Sequence, residues 1–201
     1  MSKPLSKSIE SASSAFEVPY LACGFTSPNP KRIIFLRLVW QLVQNTLFRW
    51  SPRPFHIFRA WVLKYFGADI PEPRKVVVFP TVKITYPWLL RLEPRSMIGP
   101  QVTLYNLDKI TLCYGANISQ GSHLCAGSHD FNHWSMPLVT KPIVIGCNAW
   151  LGAEVFVGPG VTIGELCVVG ARSVVVRDLP ASTICVGHPC RPIKARMPPT
   201  Q

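Results

Sequence analysis

The chain has little charge and very little acid. Only 15% of its 201 residues are charged while 48% are hydrophobic, which excludes a disordered regulator, since such chains hold too little apolar surface to bury. No uncharged apolar run approaches the roughly 20 residues needed to cross a bilayer. The longest, Leu38 to Phe48, lies between Arg37 and Arg49 and contains Gln41, Gln44 and Asn45. Met1 to Ser14 is polar and Ser-rich and lacks the apolar core of a secretory signal, so a cytoplasmic chain with a polar, partly disordered tail over residues 1–30 is expected. The seven cysteines (Cys23, Cys113, Cys125, Cys147, Cys167, Cys185, Cys190) are odd in number and include no CxxC. That argues against a disulfide framework or a zinc ribbon and reads as small buried thiols. RNP, zinc-finger and helix-turn-helix signatures are also missing, so no nucleic-acid partner is expected.

Proline and glycine, by contrast, are plentiful, 20 and 13 residues without a period of three. They break the chain too often for a helical bundle and suit short β elements joined by tight turns. Lys and Arg outnumber Asp and Glu by 21 to 10, and the net charge of +11 should attract phosphate, acidic polymer or an anionic membrane. Seven cations (Lys31, Arg32, Arg37, Arg49, Arg53, Arg59, Lys64) fall between Val18 and Ala68, a stretch without one Asp or Glu that also holds Trp40, Trp50 and Trp61. Apolar density and proline punctuation predict a helix from about Lys31 to Trp50, a break at Ser51 to Pro54, and a second helix to about Phe66. Such a basic helical segment, 31–67, has two readings: an interfacial anchor on an anionic membrane, or a cap on the open end of the domain that follows.

The C-terminal half repeats with a period of six: IGCNAW, LGAEVF, VGPGVT, IGELCV, VGARSV. Ile145, Leu151, Val157, Ile163 and Val169 head the units, glycine follows each, and the fifth position is small or β-branched. Five glycines in register have a chance probability on the order of one in a million per frame. Each hexad reads as one short strand and one turn, with the aliphatic head and the small fifth residue inward and glycine permitting an unusual backbone at the corner. Three strands close a triangular coil, and stacked coils bury a continuous aliphatic core. A weaker register continues upstream through Leu112, Ile118 and Leu124, with Cys113 and Cys125 where glycine would stand. The prism should cover about Val76 to Pro180, within a domain spanning 68–186.

These repeats, with ISQGSHLCAGSHD (118–130), KPIVIGCNAWLGAEVFVGPGVTIGE (141–165) and GHPCRPIKAR (187–196), make the chain resemble the hexapeptide-repeat acyltransferases, in particular the colanic-acid and exopolysaccharide sugar O-acetyltransferases. The resemblance implies a left-handed parallel β-helix, mainly β, with an N-terminal helical segment and a C-terminal basic tail (187–201). It also implies a homotrimer with sites between subunits, acetyl-CoA as co-substrate, and a saccharide acceptor, free or lipid-linked.

The hexads break between Asp130 and Lys141, and the break follows GSHD. An insertion of that size must project from the prism, and projecting loops carry chemistry. A neutral imidazole with a pKa near 6.5 can take a proton from a hydroxyl and return it to a leaving thiolate. In the similar enzymes the histidine of this motif is that base, which makes His129 the catalytic candidate. Asp130 and Trp134 beside it, and Asn106 in LYNLD, are candidate acceptor contacts. Trp150 matches an aromatic that packs on pantetheine, and Gly152, Ala153 and Ala171 are further cofactor candidates. Relatives often carry Ser or Gly at the position of Ala153, and where it is Ser its hydroxyl can assist at the reacting carbonyl; alanine leaves only a backbone N–H to serve an oxyanion there. Arg177, Arg191 and Lys194, with Arg196 in the same tail, are candidate cations for the nucleotide end. No metal is expected. Two other readings stay open: a zinc-dependent, carbonic-anhydrase-like hydratase using His123, His129 and His133, and a non-catalytic β-helix scaffold. Transfer to an amine is open as well.

Overall fold

A computed structural model describes residues 31–197. The tail expected over 1–30 and the last four residues of the basic tail, 198–201, lie outside them. The described chain is the expected parallel β-helix with a helical segment before it. The strands sort into three parallel faces visited in rotation. Face 1 stacks Val77–Val78, Met97–Ile98, Asn117–Ile118, Trp150–Leu151, Val168–Val169 and Thr183–Val186, and Arg191–Ala195 closes it as an antiparallel edge. Face 2 stacks Lys83–Ile84, Thr103–Tyr105, His123–Cys125, Phe156–Val157 and Val174–Val175; face 3 stacks Leu90–Leu92, Ile110–Leu112, Ile143–Ile145 and Thr162–Ile163. Register is strict: Ile98, Ile118, Leu151 and Val169 are successive partners, and all are fully buried. The inward heads thus form aliphatic ladders, and Ala116, Ala149, Val155, Val161 and Cys167 fill the corners between them. The basic tail is not free, because Arg191–Ala195 pairs with Thr183–Val186 and so covers the edge that the last coil would expose.

The hexad glycines serve a different purpose from the one expected. Positive φ falls two residues later, on Asn148 (53°), Glu154 (59°), Leu166 (58°) and Arg172 (60°), and none of the five hexad glycines has it. They are needed because the next coil passes too close for a side chain. A Cβ on Gly164 would stand 2.4 Å from the Ala181 nitrogen, and one on Gly152 would stand 2.7 Å from the Ala171 nitrogen. Gly158 is the exception, its nearest neighbour being 3.5 Å away. Gly164→Ala is therefore expected to lower the melting temperature by several degrees, as overpacking of about 1–3 kcal/mol implies, while Gly158→Ala should leave it nearly unchanged. Equal melting temperatures for the two variants would refute the close-approach account.

The corner between faces 2 and 3 is the irregular one. From Leu104 to Leu112 the chain uses two residues more than a hexad, and in the next coil this corner opens into the insertion. Gly127–His129 and Leu138–Thr140 pair antiparallel, with His129 opposite Leu138, so the insertion is a hairpin that starts three residues before Asp130. Its arms leave the prism at Ala126, whose carbonyl accepts the Lys141 N–H at 3.0 Å.

Helix α1 (Lys31–Val43) continues into a π-helical turn (Gln44–Phe48), and α2 (His56–Tyr65) follows the proline break. Both ends of the prediction hold to within a few residues. Lys83–Ile84 is an edge strand of the first coil, and side chains from α1 and the π turn satisfy its open side. The Trp40 indole N–H donates to the Ile84 carbonyl at 2.7 Å, and the Gln44 Oε1 accepts from the Ile84 N–H at 2.7 Å. Trp40 is fully buried among Phe48 and Phe66, at ring separations of 5.8 and 5.2 Å. The helices therefore do cap the open end of the prism.

Candidate active site

His129 stands near the end of the outgoing hairpin arm, exposed to solvent. Its Nδ1 lies 2.6 Å from the Met136 carbonyl oxygen. A carbonyl only accepts, so Nδ1 carries the proton and Nε2 of the neutral ring keeps its lone pair. The turn that aims this carbonyl is knit closely. The Asp130 N–H donates to Pro137 O at 3.0 Å, the Met136 N–H donates to His133 O at 2.8 Å, and Met136 sits at φ 39°, an uncommon conformation for a residue with a side chain. Asp130 closes the turn, its Oδ1 accepting the Asn132 N–H at 3.0 Å. Trp134 and Phe131 project from the tip, 73% and 84% exposed.

Trp150 stands outward on face 1 and its indole N–H donates to Ser119 Oγ at 2.9 Å, which fixes the ring against the coil below. From Trp150 the register runs outward-facing through Val168 and Ile184 to Lys194, with Arg191 on the same closing strand. Three strand spacings separate Trp150 from Lys194, about 14 Å along the axis. At the corner leading from this face, Ala153 and Ala171 occupy equivalent positions on successive coils. Their N–H groups make no hydrogen bond among the described residues, whereas the Ala153 carbonyl accepts from the Arg172 N–H at 2.8 Å. An aromatic platform, two available N–H donors and two cations thus follow one another along one edge.

Three candidates fall elsewhere. Asn106 does not contact an acceptor: it is fully buried, its Oδ1 accepts the Thr85 and Tyr86 N–H groups at 3.0 Å, and its Nδ2 donates to the Tyr86 carbonyl at 2.5 Å. The carboxamide extends the ladder where the corner enlarges, since the Thr85 N–H also reaches Leu104 O at 3.2 Å. Gly152 is also buried, with its N–H given to Val169 O and its carbonyl taken by Ser122 Oγ, so it offers a ligand nothing and serves coil stacking. Arg177 lies on the corner between faces 2 and 3, on the hairpin side, and not with Trp150 and Lys194. Arg196 is anchored, donating to Leu166 O at 2.9 Å and Asn148 O at 3.3 Å beside a cleft of about 480 Å³ next to Trp150.

The three histidines of the hydratase reading do not converge. His123 packs edge to face on Phe156 at 5.7 Å, burial lowers its pKa, and His133 Nδ1 accepts from Ser135 Oγ at 2.7 Å. Among the described residues, one group has metal-ligand spacing, Glu93, Cys113 and Cys147, with ligand atoms within 4.8 Å of one another. Glu93 is already held by Arg91 at 3.2 Å and by the Tyr114 N–H at 3.0 Å, and burial pushes the Cys113 thiol up to about 11. That corner reads as a packed polar contact. Ser119 and Met136 were not among the sequence candidates, because their roles come from an orientation that no spacing encodes.

A parallel β-helix of stacked hexads with a hairpin at one corner is a hexapeptide-repeat fold. Residues 142–177 match the bacterial transferase hexapeptide family of six repeats. The chain is 45% identical over 184 residues to WcaF of Escherichia coli (strain K12), a protein named for acetyl transfer in colanic acid biosynthesis; the match takes in 92% of this chain and 96% of that one. It is 37% identical over 93 residues to galactoside O-acetyltransferase of Escherichia coli (strain K12), 44% of this chain and 46% of that protein. A hexapeptide-repeat acetyltransferase from Vibrio cholerae, solved with acetyl coenzyme A, superposes with a TM-score of 0.74 at 24% identity, covering 86% of this chain and 93% of that one. The chain belongs to the hexapeptide-repeat acetyltransferases.

Proposed function

We propose that the protein transfers the acetyl group of acetyl-CoA to a hydroxyl of a saccharide or exopolysaccharide intermediate, with His129 as general base. The observation that carries this reading is the imidazole held at Nδ1 by the Met136 carbonyl, which leaves Nε2 as the accepting nitrogen on a projecting arm. Nε2 takes the acceptor's O–H proton as the oxygen bonds to the thioester carbonyl carbon. The tetrahedral oxyanion collapses, the C–S bond breaks, and the imidazolium returns the proton to the leaving thiolate. The donor lies along face 1. Trp150 holds the pantetheine arm, the Ala153 and Ala171 N–H groups serve the acetyl end and the chain above it, and Lys194 and Arg191 meet the phosphates. The relatives' names, which refer to colanic acid and galactosides, support a sugar acceptor.

The assembly is a homotrimer. The hairpin leaves the corner opposite face 1, so His129 and Trp150 of one copy face different directions, and a site that uses both takes them from two neighbouring copies. That separation supports sites between subunits. The acceptor is a saccharide, free or carried on a lipid at the inner face of a membrane; the surplus of cations near the N-terminus supports the second form.

The test is CoA release from acetyl-CoA with a panel of mono- and oligosaccharides and lipid-linked saccharides. Acceptor-dependent release is expected. A purified protein that binds acetyl-CoA but releases no CoA with any of these would overturn the sugar reading, and one that binds no acetyl-CoA would overturn the transferase reading of face 1.

A further inference from the structure

The cap described above uses only part of the helical segment. Trp40, Phe48, Arg59, Ala60 and Leu63 turn inward. The other side is apolar as well: Phe35, Leu38, Leu42, Leu47, Phe55 and Trp61 are all more than half exposed, Trp50 is 83% exposed and Tyr65 89%. A helix that faces water on its outer side ordinarily carries polar residues there. Between Leu47 and Phe58 the surface folds into an apolar cleft of about 380 Å³ lined also by Thr46, Trp50, Ser51, Pro52 and Phe55. Exposed cations surround this surface, Lys31, Arg32, Arg37, Arg49, Arg53 and Lys64, and the segment contains no acid to answer them. Three of them lie over rings, Arg53 on Phe79 at 5.0 Å, Lys64 on Trp61 at 5.5 Å and Arg37 on Tyr86 at 5.8 Å, which holds charge beside apolar surface.

We infer that α1, the π turn and α2 form a docking surface for an anionic lipid bilayer, lying in the headgroup region without crossing it. Charge decides between this occupant and a second copy of the chain. Apposing two copies of the patch would bring twelve cations together with no acid between them. Acidic side chains elsewhere are scattered, and Asp69, Glu72, Glu93 and Glu154 are already paired with Arg91, Lys75, Arg91 and Arg172. An anionic leaflet answers both halves of the pattern. Phosphates meet the cations, the aliphatic side chains enter the acyl boundary, and exposed Trp and Tyr suit the interface between them. Among the described residues no helix is long and apolar enough to span a membrane. The surface does not depend on the chemistry proposed for His129.

Vesicle co-sedimentation of the full chain tests it. Binding to phosphatidylcholine vesicles containing phosphatidylglycerol is expected, with little binding to phosphatidylcholine alone and release by added salt. Two variants change exposed residues only: Arg32→Gln with Arg49→Gln should weaken partitioning about thirtyfold, and Phe35→Ser with Leu42→Ser and Trp50→Ser should abolish it. Both should keep parental melting temperature, oligomeric size by light scattering, and CoA release with a soluble acceptor. No sedimentation with anionic vesicles, equal binding to neutral ones, or unchanged binding by the variants overturns the inference. A smaller oligomer in the apolar variant assigns the face to a second copy instead. Loss of CoA release in the parent would count against the transferase reading and leave this one standing.

Discussion

His129→Ala is expected to lower kcat/KM for acetyl transfer by about 10²–10⁴, the usual contribution of a positioned general base. The loss should fall on kcat, with acetyl-CoA affinity unchanged, because the contacts proposed to hold the donor, Trp150 with Arg191 and Lys194, do not involve the histidine. Thermal stability should also hold, since the side chain is exposed and its one polar contact among the described residues is with Met136. His129→Asn separates the two roles of the ring. Its amide can still donate to the Met136 carbonyl and keep the turn closed, but it cannot accept a proton, so it should be as inactive as alanine. Activity near the parental level in His129→Asn would show that the ring only braces the hairpin, and full activity in His129→Ala would remove the base altogether.

The position of that histidine was legible because a break in a strict period is conspicuous, and a dozen residues that leave a six-residue repeat have nowhere to go but outward. The tautomer that suits it to the proposed role was not legible. That depends on a carbonyl seven residues away, aimed by a positive φ at Met136, and nothing in the side chain of Met136 signals this. The glycine register gave the coil correctly and the reason for it wrongly: period alone does not distinguish a residue that must turn from one that must stay thin. Asn106 shows the opposite error. A polar residue at a phase shift looked like a ligand contact, yet the carboxamide is spent on the backbone one coil below, on the Thr85 N–H, which also reaches Leu104 O at 3.2 Å, and on both backbone groups of Tyr86. The resemblance makes Arg177 a cofactor cation; within one copy it stands on the hairpin corner, a different side of the triangular coil from Lys194.

The helical segment was legible in extent, from apolar density and proline, and capping of the prism was one of its two readings, but part of the attachment was not legible: besides Trp40 and Gln44 it uses an arginine that composition counts as surface charge. Arg59 is 1% exposed. Its Nε donates to Val78 O at 2.6 Å, Nη1 donates to Ser51 Oγ at 2.8 Å and Pro52 O at 2.9 Å, and Nη2 donates to Arg53 O at 2.7 Å. No carboxylate is among these partners. The planar fork therefore joins the proline break to α2 and to the first strand of face 1, and burial lowers its pKa without discharging a group that stays protonated in proteins. Arg59→Leu fills the volume but strands the buried Val78 carbonyl and releases three part-buried acceptors at the proline break, and with a buried unpaired acceptor costing about 1–3 kcal/mol a loss of about 2–3 kcal/mol is expected. Arg59→Lys should recover only a fraction, because one ammonium on a flexible stem cannot hold the fork's four directions. Urea denaturation measures the loss, and limited proteolysis locates it: the leucine variant should be cut between Arg49 and Arg59 while the prism resists. A change under about 0.5 kcal/mol, the ordinary range for surface substitutions, would mean that the break and the prism hold together without this residue.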